Sequence, residues 1–224
     1  MLSLIPTPIG NLEDITLRAL RLLREADVIA AEDTRHAIIL LKHHGISRPL
    51  VSLHEHNEAQ RAEELAQRLG AGENIALLTD AGTPGISDPG YRVVHACIQR
   101  GLEFTVLPGP SSILPALVGS GLPLHEFYFG GFLPVKSGRR KNALAAALER
   151  GETSVFFESP HRITRSLAVL AELAPDRQIC VARELSKKFE EYWRGTAAEL
   201  SARAEKQPAR GEICLLVAGC KADA

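Results

Sequence analysis

The chain has 224 residues, 45% of them apolar, 24% charged and only 5% aromatic, with a net charge of −1. That balance describes a globular chain with an aliphatic core and excludes a disordered or strongly polyionic one. The length suits two domains of about 100 residues. No apolar run approaches the roughly 20 residues needed to span a bilayer. "MLSLIPTPIGN" has neither the basic region nor the cleavage pattern of a signal peptide. Cys97, Cys180, Cys214 and Cys220 form no C-x-x-C pair and the histidines have no metal-ligand spacing. Reduced cysteines, a cytoplasmic location and no metal are expected.

In chain order, "LSLI", "DVIAA", "PLVSL", "NIALLT" and "EFTVL" are short, β-branched and apolar. They predict five buried parallel strands. Amphipathic stretches separate them. Ile15, Ala19, Leu22, Leu23 and Ala26 share one helical face, and "NEAQRAEELAQRLGAG" reads as a second helix closed by Gly70 or Gly72. After "PSSILPALVGSGLP" the pattern restarts with "FYFGGF", "SVFFES", "QICVARE", "EEYWRG" and "EICLLVAG". Helices near 138–150, 160–173 and 196–206 separate most of these strands. "RELSKKFEEYWRG" leaves no room for a crossover helix, so this sheet is mixed. The expected architecture is two α/β domains, 1–118 and 123–224, the first mainly parallel and five-stranded, the second mixed, with a ligand cleft between them. Residues 1–120 carry a charge of −4 and residues 121–224 a charge of +3, so the second half permits a polyanionic partner.

Three strand ends carry the chemistry. In "TDAGTPGISDPGYRVV" Asp88 suits an N-cap with Pro89 at the first helical position. Gly109–Pro110 in "VLPGPSSILPAL" and Ser159–Pro160 in "FFESPHRITRSL" have the same form. The free N–H groups of such helix starts make anion sites. The loop 79–90 is long, rich in glycine and proline, and acidic at Asp80 and Asp88. Ligands of open α/β sheets bind beyond the carboxyl ends of the strands. No G-x-x-x-x-G-K-[ST], G-x-G-x-x-G or G-x-S-x-G is present, which argues against P-loop, dinucleotide and hydrolase-elbow chemistry. The residues by themselves therefore point to a small ligand with an anionic end and hydroxyls, held by backbone amides and Asp80 or Asp88.

Eight segments, in order, resemble the tetrapyrrole methylase superfamily: "TPIGNLEDIT", "AEDTR", "LLTDAGTPGISDPG", "LPGPSS", "GGFLP", "ESPHR", "ARELSKKFEE" and "GEICLLV". The last four narrow the resemblance to its ribosomal RNA small-subunit methyltransferase I branch. Ser186 stands where threonine is more usual, and keeps the hydroxyl. The resemblance implies S-adenosylmethionine in the interdomain cleft, a homodimer, and methylation of the 2′-oxygen of a cytidine in the decoding region of 16S ribosomal RNA. It places the methionine part of the cofactor in the loop 79–90, on Asp80, Gly82, Thr83, Pro84, Gly85 and Ser87, with amides near Gly82 to Gly85 facing its carboxylate. Pro8 would shape the cleft floor, Ser111 and Ser112 the opposite rim, and Phe129 with its neighbours would face the adenine.

Transfer to a ribose hydroxyl needs alignment and gains from a base. Arg35 and Lys187 are expected to hold the RNA backbone while Asp33 or Glu184 accepts or orients the hydroxyl. Lys187, if burial lowers its pKa, is the rival base. Lys136, Arg139, Arg140, Lys141, Arg162, Arg183 and Lys188 are expected to meet phosphates of 16S rRNA in the small ribosomal subunit. Tyr192 and Trp193 are candidates to stack on a base, with at least one of them in the core. Tetrapyrrole precursor C-methylation and a non-catalytic cofactor sensor stay open as other readings, although "KSGRRK" disfavours the former and the ionisable cleft loops the latter.

Overall fold

The computed structural model describes residues 1–220. They divide into two compact units, Met1–Ser111 and a second that starts at Ser112.

In the first unit β1 (Leu2–Leu4), β2 (Val28–Ala31), β3 (Leu50–Ser52), β4 (Ile75–Leu78) and β5 (Phe104–Val106) form one parallel sheet in the order β3-β2-β4-β1-β5. All five lie where the apolar runs predict them. Helices α1 (Leu17–Glu25), α2 (Thr34–His43), α3 (Glu58–Gly70) and α4 (Tyr91–Arg100) connect consecutive strands. Alternation along the strands sets the two faces. Ile75 and Leu77 pack with Leu65 and Leu69 of α3 and Val93 and Cys97 of α4. Ala76 and Leu78 pack with Ala19 and Leu23 of α1 and Ala37 and Leu41 of α2. Both faces are thus covered, which is why β4 is apolar at every position.

In the second unit α5 (Ile113–Ser120) is followed by β6 (Phe127–Phe132), α6 (Ser137–Glu149), β7 (Thr153–Glu158), α7 (Ile163–Leu173), β8 (Gln178–Arg183), β9 (Glu191–Thr196), α8 (Ala197–Lys206) and β10 (Ile213–Val217). The sheet order is β6-β7-β10-β8-β9. Only β6–β7 is parallel, and β8–β9 is a hairpin, so the sheet is mixed as expected. Leu144, Ala147, Leu167, Leu170, Leu200 and Ala204 from α6, α7 and α8 share one core with Phe156, Val181, Trp193, Leu215 and Val217. Trp193 is therefore core, with Arg203 over its ring at 4.2 Å. Tyr192 packs against Gly119 of α5 and donates to the Pro115 carbonyl at 3.0 Å.

Two expectations change. The division falls between Ser111 and Ser112 rather than after residue 118, because α5 lies against β8, β9 and β10. The three proline-marked helix starts also shift. α4 begins at Tyr91 with Gly90 as N-cap, α5 follows Ser112, and α7 follows Arg162. The proline segments form turns that precede each helix. After Ser159, for example, Arg162 and Ile163 both donate to its carbonyl at 3.0 Å before the helix is established.

Candidate functional site

The carboxyl ends of the first sheet converge on one edge. The chain after β1 and the chain after β4 are stitched by an isolated antiparallel bridge, Thr7 N–H to Gly82 O and Gly82 N–H to Thr7 O, both 2.9 Å. The buried Thr7 hydroxyl donates to Thr79 O at 3.0 Å, and Thr83 Oγ1 donates to Pro110 O at 3.3 Å. Three loops, 5–9, 79–90 and 107–111, are thereby held as one surface. Gly90 has φ 139°, and a Cβ there would lie 3.2 Å from the Gly85 nitrogen, so the loop 79–90 doubles back on itself only with glycine at this point. Ser87 has φ 63° without being glycine, a conformation held by its surroundings.

Below this surface lies a cavity of about 180 Å³ lined by Thr7, Pro8, Leu12, His36, Leu78 and Asp80 among others. Pro8 and Asp80 therefore meet in one place. Gly82 and Gly85 do not offer their amides as expected: Gly82 N–H serves the bridge, and Gly85 N–H donates to Pro89 O at 3.1 Å. Pro84 has no N–H. Thr83 is left as the amide of that run with no partner among the described residues.

The same edge is acidic. Asp80 Oδ1 accepts from Asp33 N–H at 3.1 Å, and Asp80 Oδ2 lies 3.1 Å from His36 Nδ1. Burial, reinforced by repulsion from Glu32 and Asp80, raises the Asp88 carboxyl to about 7. Burial also raises Glu32. Glu32, His36 and the altered state of Asp88 escape a reading of the sequence; "AEDTRH" shows four ionisable residues within five positions, not where they point.

Asp33 is the N-cap of α2, accepting from Arg35 N–H at 2.8 Å, and the Arg35 guanidinium clasps both its oxygens. Those bonds hold the Asp33 carboxyl far below its usual range. The Arg35 side chain itself remains 86% exposed. At α4 the expected anion site is filled from within. Glu58 Oε1 accepts from Gly90 N–H at 2.8 Å and Arg92 N–H at 3.1 Å. In the second unit the buried Glu158 does the same for the turn entering α7, accepting from Ser159 N–H at 2.7 Å and from Ser166 Oγ at 2.6 Å. Ser111 and Ser112 precede α5; Ser112 makes no side-chain cap, and its carbonyl faces Cys214 Sγ. Phe129 sits on β6 just before a register shift, edge-on to Phe157 at 5.0 Å.

The β8–β9 hairpin gathers the other catalytic candidates. Glu184 follows β8 with φ 51°. Its Oε1 accepts from Lys187 Nζ and from Glu212 N–H, each at 3.0 Å, and Lys187 Nζ also lies 3.1 Å from Glu212 Oε2. Gly211 makes room for this carboxylate, since a Cβ there would overlap it. Burial pushes the Glu184 carboxyl up, but hydrogen bonds from Glu212 N–H and Lys187 outweigh it and the net shift is downward. Burial likewise opposes the charge on Lys187, and its two carboxylate partners outweigh that, so its pKa rises. The condition on which Lys187 would act as the base, a pKa lowered by burial, is therefore not met.

The basic candidates separate by exposure. Lys136, Arg139, Lys141 and Lys188 are exposed, with Lys141 paired to Glu172 at 2.8 Å. Arg140 is buried and donates to Val135 O at 3.1 Å, so it braces the loop before α6 instead of meeting phosphate. Arg162 pairs with the buried Glu158 at 2.8 Å. Arg183 is taken up by Arg210 O at 2.8 Å and Glu191 at 3.1 Å. In all three the side chain is engaged within the fold. Among the described residues no helix is long and apolar enough to cross a membrane.

The profile of the tetrapyrrole (corrin/porphyrin) methylases matches residues 1–201. Ribosomal RNA small subunit methyltransferase I of Escherichia coli O157:H7 is 47% identical over 224 residues, covering 99% of this chain and 78% of that protein. The protein of the same name from Bacillus subtilis is 46% identical, covering 98% and 75%. That of Thermotoga maritima is 43% identical, covering 97% and 98%. Among solved structures, diphthine synthase superposes with a TM-score of 0.75 at 15% identity, covering 97% of this chain and 89% of that one. The methyltransferase CobJ superposes with 0.72 at 20% identity, covering 98% and 94%. These two share the fold. The chain belongs to the tetrapyrrole methylase family, whose members are S-adenosylmethionine-dependent methyltransferases, in the branch named ribosomal RNA small subunit methyltransferase I.

Proposed function

We propose that the protein methylates the 2′-oxygen of a cytidine in the decoding region of 16S ribosomal RNA, acting in the cytoplasm as a homodimer on the small ribosomal subunit. The observation that carries this reading is the identity of 43–48% with relatives named for small-subunit ribosomal RNA, sustained over nearly the whole chain.

The first unit's edge fits S-adenosylmethionine by its donor set. The cofactor carries a sulfonium and an ammonium, and Glu32, Asp80 and Asp88 repel one another until a cation separates them. The unpartnered Thr83 amide suits the cofactor's carboxylate, and the cavity beside Pro8 and Asp80 suits its aliphatic part. When bound, the cofactor supplies an already activated methyl group. The protein's own contribution is then mostly alignment, worth up to several powers of ten. Arg35, exposed yet pinned by Asp33, is built to hold a phosphodiester in a fixed pose. Asp33 and Glu184 are weak bases in this structure, so they orient groups rather than take a proton at neutral pH.

The test is incubation with labelled cofactor and small subunits from a strain lacking the modification, followed by digestion to nucleosides. Label in 2′-O-methylcytidine supports the reading. Label in the base, or only in a uroporphyrinogen-type substrate offered in parallel, refutes it.

A further inference from the structure

The turn between β8 and β9, residues 184–190, presents an exposed aromatic ring. Phe189 is 66% exposed, the most exposed of the seven phenylalanines. Phe132, the next at 60%, packs on Phe157 at 5.2 Å, whereas among the described residues no other ring lies against Phe189. Lys188 lies beside it, with Nζ 5.6 Å from the ring centre.

The turn is rigid in spite of its exposure. Glu184 and Ser186 both hold positive φ, 51° and 64°, without being glycine. Lys187 N–H donates to Glu184 O at 3.0 Å, Glu190 N–H to Lys187 O at 3.1 Å, and Ser186 N–H to Glu190 Oε2 at 2.7 Å. Arg183 Nη1 donates to the carbonyl of Phe189 itself at 3.3 Å. A strained, cross-braced turn that ends in a bare ring is pre-organised for a contact made outside the fold. Lys187 is bound to Glu184 and Glu212, which leaves Lys188 as the turn's lysine without an ion pair among the described residues.

We propose that Phe189 is a stacking platform for an unpaired nucleobase of the RNA substrate, with Lys188 on the adjoining phosphate. An exposed ring beside a free cation is the combination by which proteins seize single-stranded RNA, because every base has a face to stack and every nucleotide a charge to pair. Tyr91 is exposed too at 71%, but its ring lies 6.0 Å from that of His95, and it follows the acidic loop of Asp80 and Asp88, which repels phosphate. The inference rests on the reading of the protein as an RNA methyltransferase.

The experiment compares Phe189→Ala, Phe189→Leu and Phe189→Tyr in the full chain. It measures binding of small subunits from a strain lacking the modification, the KM and kcat of methylation, cofactor affinity and sedimentation. Loss of one base stack weakens subunit binding and raises KM by about tenfold in Phe189→Ala. Tyrosine restores both, leucine does not, and kcat and cofactor affinity stay near wild type. Lys188→Ala lowers the slope of log affinity against log salt by about one. Wild-type binding by Phe189→Ala, or full rescue by leucine, overturns the stacking role. So does a change in sedimentation, which would show the ring covered by another copy of the chain. Absence of RNA methylation by the wild-type protein overturns the underlying reading, and the inference with it.

Discussion

If the first unit's acidic edge holds the cofactor as proposed, Asp88 ties its binding to pH. Its carboxyl is pushed to about 7 by burial and by Glu32 and Asp80. A cationic ligand end beside these three groups needs Asp88 ionised, so binding must expel its proton. With that pKa the group is about 90% ionised at pH 8 and about 10% at pH 6, so affinity for S-adenosylmethionine should fall about tenfold between them. Near pH 7 about half a proton should be released per cofactor bound. Titration calorimetry in two buffers of different ionisation enthalpy measures both quantities. Asp88→Asn should bind with nearly constant affinity over the same range. A flat profile in the wild type, or the same tenfold fall in Asp88→Asn, refutes the reasoning. The ligand-free protein gives a second check of opposite character. The folded pKa exceeds the unfolded one, so the stabilisation from protonating Asp88 is complete below about pH 4 and is lost as pH rises through about 7. The melting temperature of the wild type relative to Asp88→Asn should therefore drop from pH 5 to pH 8.

Four further outcomes follow from the geometry. Gly211→Ala should destabilise the protein by about 2 kcal/mol, from left-handed strain at φ 81° and the displaced Glu184 bonds, and should slow RNA methylation while sparing cofactor affinity; chemical denaturation and single-turnover assays measure the two effects. Glu158→Ala strands Arg162 beside a buried void and should cost about 3–5 kcal/mol by urea denaturation. The triple change of Lys136, Arg139 and Lys141 to alanine should flatten the salt dependence of subunit binding at unchanged stability, whereas Arg140→Ala should destabilise by about 1–3 kcal/mol, because it loses the hydrogen bond that braces Val135. Gly82→Val should lower cofactor affinity by about tenfold or more, since a branched residue at φ 79° breaks the Thr7 bridge that sets the loop; unchanged affinity in the folded variant would refute that role.

The strands were legible because burial on both faces leaves a continuous signal. "NIALLT" needs no distant information to be read as β4, and "QICVARE" none to be read as β8. What was lost is what distant residues decide. The pattern Asp88–Pro89 is locally a good helix start, yet the α4 terminus is met by Glu58, more than 30 residues earlier in the chain. "KSGRRK" reads as a solvated basic run, and only the packing of α6 shows that Arg140 turns inward while Arg139 turns outward. The proton affinity of Asp88 depends first on its burial and then on β2 and β4 delivering Glu32 and Asp80 to the same edge. Spacing along the chain carries no record of that meeting.

The carboxylates at the helix entrances have a consequence for selectivity among metabolites. Asp33, Glu58 and Glu158 occupy the amide groups leading into α2, α4 and α7. In many α/β proteins those same positions cradle the phosphates of nucleotides. Here they are stoppered by fixed negative charge, and the neighbouring edge is acidic as well. An adenosine carrying a triphosphate would meet repulsion where one carrying a sulfonium and an ammonium meets attraction. If the proposed cofactor site is right, the protein can share a compartment with abundant ATP and keep that site open for the methyl donor, and competition by ATP should stay weak even at millimolar concentration.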